Sequence, residues 1–330
     1  MIKVEGLSKQ FKVHKKRPGL RGSISSLFNR EYIIKDAIKN IDLEIKQGEI
    51  LGLIGSNGAG KTTLTKILSG IIHPTSGKVS VLGFDPWERD NRYRQQMSLI
   101  MGQKAQLWWD LPAADGFLLL KEIYQIPEAE FKKRLAYLSE SLGIEKELNV
   151  QVRKLSLGER MKVELIAALL HQPKVVFLDE PTIGLDLSAQ KAVRRFIKEY
   201  RKEFNPIMIL TSHYMDDIED LCDRIIIMKE GEFVYDGGIK QVHQKYAQSK
   251  LVTAQAAPTI DASEEARKFP KSLGEIEIND NGKIIVRSPR EKVMEAASYL
   301  IHYLKIEDLN ISEEEIGDVI EHIMSKGKEA

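Results

Sequence analysis

The 330 residues exceed one average domain, which predicts a large domain and a smaller one. A hydrophobic content of 42% with 29% charged residues describes a globular chain with ample core, and a net charge of +1 excludes a global electrostatic case for nucleic acid or anionic lipid. The single cysteine, Cys222, excludes an internal disulfide, suits a reducing compartment and reads as a small buried residue.

MIKVEGLSKQF alternates apolar and polar residues as a half-buried strand does, and it lacks the core of a signal peptide. Residues 12–30 carry six Lys or Arg and no acid, with Pro18, Gly19 and Gly22 breaking any regular element. They read as an inserted basic loop, either solvated or, through Lys15, Lys16 and Arg17, laid against anionic lipid. Strand patterning resumes in AIKNIDLEIKQGEI, and EILGLIG runs into a Gly-rich turn followed by the helix KTTLTKILSGII. GKVSVLGFD and MSLIMGQ are strand-like, and helical pattern dominates from about Pro112 to Glu147. VELIAALL is a further helix after the polar patch LSLGER, and alternating strands and helices follow as far as RIIIMKEGEFVYDG. Near Tyr246 the small-residue-rich stretch AQSKLVTAQAAPTIDASEEARKFP reads as a domain boundary. Beyond it KIIVR, EKVMEAASYLIHYL, IEDLNI and EEEIGDVIEHIM spell β-α-β-α. No apolar run is long enough to span a bilayer, so any membrane crossing falls to other chains.

Gly55, Ser56, Asn57, Gly58, Ala59, Gly60, Lys61 and Thr62 satisfy G-x-x-x-x-G-K-[ST] at every fixed position, with Thr63 next. Such a loop curls its N–H groups around phosphate oxygens at a helix N-terminus. Lys61 is expected on the β- and γ-phosphates and the Thr62 hydroxyl on Mg²⁺. VVFLDEP places Asp179 and Glu180 at the carboxyl end of a buried strand, where ligands sit in open α/β sheets. Asp179 then belongs to the Mg²⁺ shell, and Glu180 is placed to polarise an attacking water. Gln103 ends the strand LIMG and His213 ends MILTS, on the same expected edge. Gln103 is read against Mg²⁺ or the attacking water, and His213 against the γ-phosphate.

In this order the motifs resemble those of ABC-type ATPases: the phosphate loop GSNGAGKT, the Q-loop at Gln103, the signature LSLGE, the acidic strand VVFLDEP, the D-loop ending at Asp186 and the H-loop TSH. The resemblance covers residues 1–245. It implies a P-loop NTPase (RecA-like) α/β core with an N-terminal antiparallel β subdomain and an inserted α-helical subdomain at about 88–160. A small C-terminal α+β domain would occupy 246–330. It also implies Mg²⁺-dependent ATP hydrolysis by a head-to-tail homodimer, in which Ser156 and Gly158 of each signature close over the ATP of the other copy. Base stacking falls to Phe11, with Tyr32 as the fallback. The chain departs from the usual L-S-G-G-Q at Leu157 and Glu159, and Glu159 sets an acid near the phosphates unless Arg160 or another cation offsets it.

HPTSGKVSVLGFDPW, LWWDLP and EPTIGLD resemble the branch that pairs with separately encoded export permeases, which implies a peripheral place on the cytoplasmic face of the membrane. In that branch Trp108 and Trp109 fall where a permease helix docks, although loop aromatics also serve as core anchors. The competing reading is a soluble ABC-type factor acting on ribosomes or nucleic acid. Such proteins carry two ATPase domains, or long coiled coils or zinc modules between phosphate loop and signature. About a hundred residues intervene here, without heptads or cysteines.

Overall fold

The computed structural model describes residues 1–14, 32–102, 105–239, 241–242, 249–256, 268–278, 283–303, 306–314 and 316–326. It divides into two compact units, Met1–Gly237 and Gly238–Ala330, parting somewhat earlier than composition places the boundary.

In the first unit, β1 (Ile2–His14) pairs antiparallel with β2 (Tyr32–Ile45) and with β4 (Ser76–Val81). Lys12, Val13 and His14 therefore extend β1 instead of opening the basic loop, whose remainder lies outside the described residues. A six-stranded sheet runs in the order β5-β6-β7-β3-β8-β9, with β3 (Ile50–Gly55), β5 (Met97–Met101), β6 (Val175–Asp179), β7 (Ile207–Thr211), β8 (Arg224–Lys229) and β9 (Glu232–Gly238). Strands β5, β6, β7, β3 and β8 are mutually parallel, so their carboxyl ends share one edge. Val175, Val176, Phe177, Leu178 and all of β7 are buried, the mark of strands covered on both faces.

Helix α1 (Lys61–Leu68) follows β3. Helices α2 (Ala113–Ile123), α3 (Glu128–Leu142) and α4 (Leu157–Leu169) form the inserted helical part, with α2 and α3 packed on α4. A one-turn helix at Asn91–Arg94 lies near the expected start of the helical part, and the longer helices begin at Ala113, after Met97–Met101 has paired with β6 inside the parallel sheet. Helices α5 (Leu187–Phe204) and α6 (Met215–Leu221) complete the unit.

The second unit is a four-stranded antiparallel sheet, β11-β12-β10-β13, carrying α7 (Val293–Tyr303) and followed by α8 (Ile316–Lys326). Its strands are β10 (Ser249–Ala256), β11 (Glu275–Ile278), β12 (Lys283–Pro289) and β13 (Ile306–Glu313). β10 lies within the stretch read as a linker, yet it pairs with strands on both sides. Val252, Ala254, Ile284, Val286 and Leu300 fill the core beneath the sheet.

His171, just past α4, stacks on Tyr124 with ring centroids 3.9 Å apart, and its Nε2 donates to the Met97 carbonyl at 3.1 Å. Burial pushes its pKa down to about 4, since charging the ring would strand a cation away from water. The native state thus resists a proton that the unfolded chain accepts. Stability is complete above the ordinary value of 6.5 and falls as pH drops from there towards about 4. The shift corresponds to roughly 3 kcal/mol. His171→Phe keeps the stacking and removes the titration, so denaturant unfolding of the two proteins at pH 7, 6 and 5 should show the parent losing its advantage over the variant. Parallel curves would assign the acid lability to other groups.

Candidate functional site

β3 delivers the phosphate loop at the carboxyl edge. Gly55 and Gly60 have φ of 155° and 113°, and a Cβ on them would lie 2.3 Å from the Met228 carbonyl oxygen and 2.5 Å from that of Ala37. Only glycine allows the loop to turn this close to its neighbours. Ser56, Asn57 and Gly58 remain exposed, whereas Ala59, Gly60 and Lys61 are buried. Lys61 Nζ donates to the carbonyls of Gly55 at 2.6 Å and Ser56 at 3.2 Å. Burial lowers its pKa, and the negative charges of Glu180 and Asp179 work against that shift. Thr62 is exposed and Thr63 half-buried in the first turn of α1.

The ends of β6 and β7 meet this loop. Asp179 stands opposite Thr211 in the parallel register, and the Thr211 hydroxyl donates to Asp179 Oδ1 at 2.6 Å. The Glu180 N–H donates to the Thr211 carbonyl at 3.0 Å, while Glu180 itself is left-handed with φ of 57°. A non-glycine residue there carries about 1–2 kcal/mol of strain. Its Oε1 lies 2.8 Å from His213 Nε2. Glu180 and His213, read separately from the sequence, thus form a pair. Gln103 lies outside the described residues, but Gly102 before it approaches Glu180 so closely that a Cβ would sit 2.1 Å from the Glu180 carbonyl oxygen.

The polar patch LSLGER is not a loop ahead of a helix: α4 begins at Leu157, with Ser156 as its N-cap. Glu159 Oε2 accepts from both the Ser156 N–H and hydroxyl at 2.8 Å, and the Glu159 N–H donates back to Ser156 Oγ at 3.3 Å. This capping box satisfies two backbone donors, the N–H groups of Ser156 and Glu159, and sets a negative charge at the positive helix end. Those hydrogen bonds from Ser156 hold the Glu159 carboxyl below its usual range. The Arg160 guanidinium lies 5.3 Å from the Trp109 ring centroid, and the cation whose charge acts on the Glu159 carboxyl is Lys162. Asp186 caps α5 by accepting from the Ala189 N–H at 2.8 Å. A Cβ on Gly158 would lie 3.2 Å from that of Ala189, and one on Gly184 would lie 3.1 Å from Leu157 Cδ2. Signature and D-loop therefore pack side by side, with Leu157 as the contact between them.

Phe11 is half-buried on β1 opposite Lys35, with Lys9 Nζ 5.0 Å from its ring centroid. Lys35 is close along β2 to Ala37, the strand neighbour of Gly60. Tyr32 stands opposite His14 at the far end of the same ladder. Trp108 and Trp109 are 48% and 52% exposed, beside exposed Leu111, Leu118 and Leu119. Cys222 is buried as expected. The sequence reading missed Glu164, a buried carboxylate inside the apolar run of α4, which accepts from the N–H groups of Gln106 and Leu107. It also missed Thr182, Arg194, Ser212 and Asp217, which share one buried network. An acid interrupting an apolar helical face was the available signal for Glu164.

Residues 38–183 match the family described as ABC transporter. The chain is 31% identical over 216 residues to the ABC transporter ATP-binding protein NatA of Bacillus subtilis, covering 66% of this chain and 87% of that protein. It is 34% identical over 210 residues to the methionine import ATP-binding protein MetN of Geobacillus kaustophilus, covering 62% and 61% respectively. Among solved structures it resembles cbiO1 of Clostridium perfringens, part of the ABC transporter complex cbiONQ, with 27% identity, a TM-score of 0.58 and coverage of 74% and 90%. With phosphate loop, acidic strand and H-loop histidine on one sheet edge, the chain belongs to the ATP-binding subunits of ABC transporters, which bind and hydrolyse ATP.

Proposed function

We propose that this subunit holds Mg-ATP between its own phosphate loop and the signature turn of a second copy, head to tail, and powers export through separate permeases. The observation that carries the chemistry is the Glu180–His213 pair, 2.8 Å apart, with the Glu180 charge acting on Lys61. Glu180 accepts the proton of the attacking water, and His213 holds it in that orientation. Thr62 and Asp179 offer hard oxygen donors of the kind Mg²⁺ takes, and Gln103 is assigned beside them. Among the described residues no three His, Cys, Asp or Glu side chains gather around a metal, so these donors would share the ion with phosphate oxygens and water. When bound, Mg²⁺ neutralises phosphate charge.

Dimerisation follows from what one chain leaves undone. Among the described residues, the hydrogen bonds of Ser156 and Asp186 stay within their own helix caps, and the signature packs against α5. The α4 N-terminus is therefore available to another molecule's phosphate. Phe11 stacks on the base. No described helix is long and apolar enough to cross a membrane. The exposed surface of Trp108, Trp109 and Leu118 is the proposed seat for a permease helix at the cytoplasmic face. The export direction rests on the likeness of LWWDLP and EPTIGLD to exporter subunits, and MetN marks import as the competing direction.

Glu180→Gln should lower ATP turnover about 100-fold or more and let an ATP-dependent dimer accumulate on a sizing column. A monomeric, fully active variant contradicts both role and assembly. In that background Glu159→Gln keeps the capping geometry but removes a negative charge facing the partner's phosphate, so the dimer should tighten about fivefold. Ser156→Ala should cost about 1 kcal/mol of stability and weaken the dimer. Sedimentation of the three variants with ATP decides: unchanged affinity on losing the Glu159 charge removes that turn from the nucleotide.

A further inference from the structure

The carboxylate of Asp217 on α6 is fully buried and takes three donors from three different segments. The Thr182 hydroxyl and the Ser212 hydroxyl both donate to its Oδ2, the latter at 2.6 Å, and Arg194 Nη1 donates to its Oδ1 at 2.9 Å. Thr182 lies just beyond Glu180, and Ser212 immediately precedes His213. Arg194 belongs to α5, the helix whose N-cap is Asp186. One carboxylate thus ties down the chain on both sides of the Glu180–His213 pair and the helix that starts at the D-loop.

We propose that Asp217 is a positioning residue for ATP hydrolysis, setting Glu180 and His213 against one another through Thr182 and Ser212. The inference rests on the roles proposed for that pair. Three physical points carry it. Glu180 is strained, and a strained backbone persists only where its surroundings over-determine it. Its N–H is fixed by the Thr211 carbonyl, and Thr182, two residues on, supplies a second anchor through Asp217. His213 is 45% exposed on its side chain and stands two residues past the end of β7, outside its ladder. Its turn is held by Ser212, which donates to Asp217 and accepts from the Tyr214 N–H at 3.0 Å. Finally, a buried ion pair such as Asp217–Arg194 adds little net stability over apolar residues of equal size, so its consequence is geometric. Arg194 Nε also lies 3.1 Å from Asp220, which keeps the guanidinium seated on α6.

The test compares Asp217→Asn, Thr182→Val, Ser212→Ala and the Thr182→Val/Ser212→Ala double variant in the full chain. The readouts are steady-state ATPase, titration with a fluorescent ADP analogue, and thermal melting. Asp217→Asn should lower kcat about 100-fold with KM and ADP affinity held within about twofold, the signature of misplacement and not of lost binding. Each single hydroxyl variant should lower kcat about tenfold, and the double variant should fall no further than Asp217→Asn, because both act through one carboxylate. Folded variants with full kcat, or losses confined to KM and ADP affinity, overturn the proposal. Should Asp217→Asn fail to fold, the two hydroxyl variants decide alone. Glu180→Gln and His213→Ala are assayed alongside. If either keeps full turnover, the pair and this inference fall together. If both collapse while the hydroxyl variants turn over normally, the roles of the pair stand and only the positioning falls.

Discussion

The site depends on the parallel register of β6 against β7. With Asp179 opposite Thr211, three successive residues from that row onward each meet a different carboxylate: Thr211 holds Asp179, Ser212 holds Asp217 and His213 meets Glu180. In a strand with period two, a slip of one residue sends each of these side chains to the opposite face. Burial on both faces prevents the slip, because every residue of β7 and the first four of β6 sit in the core. The apolar register is therefore also the register of the chemistry.

The signature turn shows how a departure from a familiar pattern can be absorbed locally. Glu159 at the third helical position makes the same reciprocal bonds to Ser156 that a glutamine would make, so helix capping is kept while a negative charge is added. Leu157 finds its partner in Gly184, which has no side chain to obstruct it. The signature is thus held to its own chain on two sides, by the cap through Glu159 and by the D-loop through Leu157. In the proposed dimer, signature and D-loop would then approach a second copy as one surface.

What the sequence disclosed and what it hid divide by range. The phosphate loop and the acidic strand were legible because their residues are contiguous and each obeys a local rule. The strands and helices of the first unit were legible for the same reason, although the strand Met97–Met101 separates the one-turn helix at Asn91–Arg94 from the longer helices that follow. β10 was hidden because Ala, Ser and Gln dilute its strand pattern, and its stability comes from ladders on both sides. Thr182 and Asp217 are 35 positions apart, and Asp217 sits in DDIED among acids that all read as surface. Nothing local distinguishes the one that is buried. The pairing of Glu180 with His213 escaped for a related reason: strand ends predict a shared edge, not which side chains touch.

The charges around Lys61 make the remaining step. Two of its three ammonium protons are taken by loop carbonyls, leaving one donor for an incoming phosphate. The negative charges of Asp179 and Glu180 already work against the lowering that burial imposes on this ammonium. A triphosphate adds several more negative charges to the same edge, and one shared ammonium cannot balance them. The loop N–H groups and the α1 terminus contribute partial charges only. In the proposed function a divalent cation held by Thr62 and Asp179 would answer this deficit. The Thr211 hydroxyl donates to Oδ1 of Asp179 and so fixes the carboxylate that would hold it. On this electrostatic account Mg²⁺ would be part of how the pocket tolerates ATP, before any bond is broken.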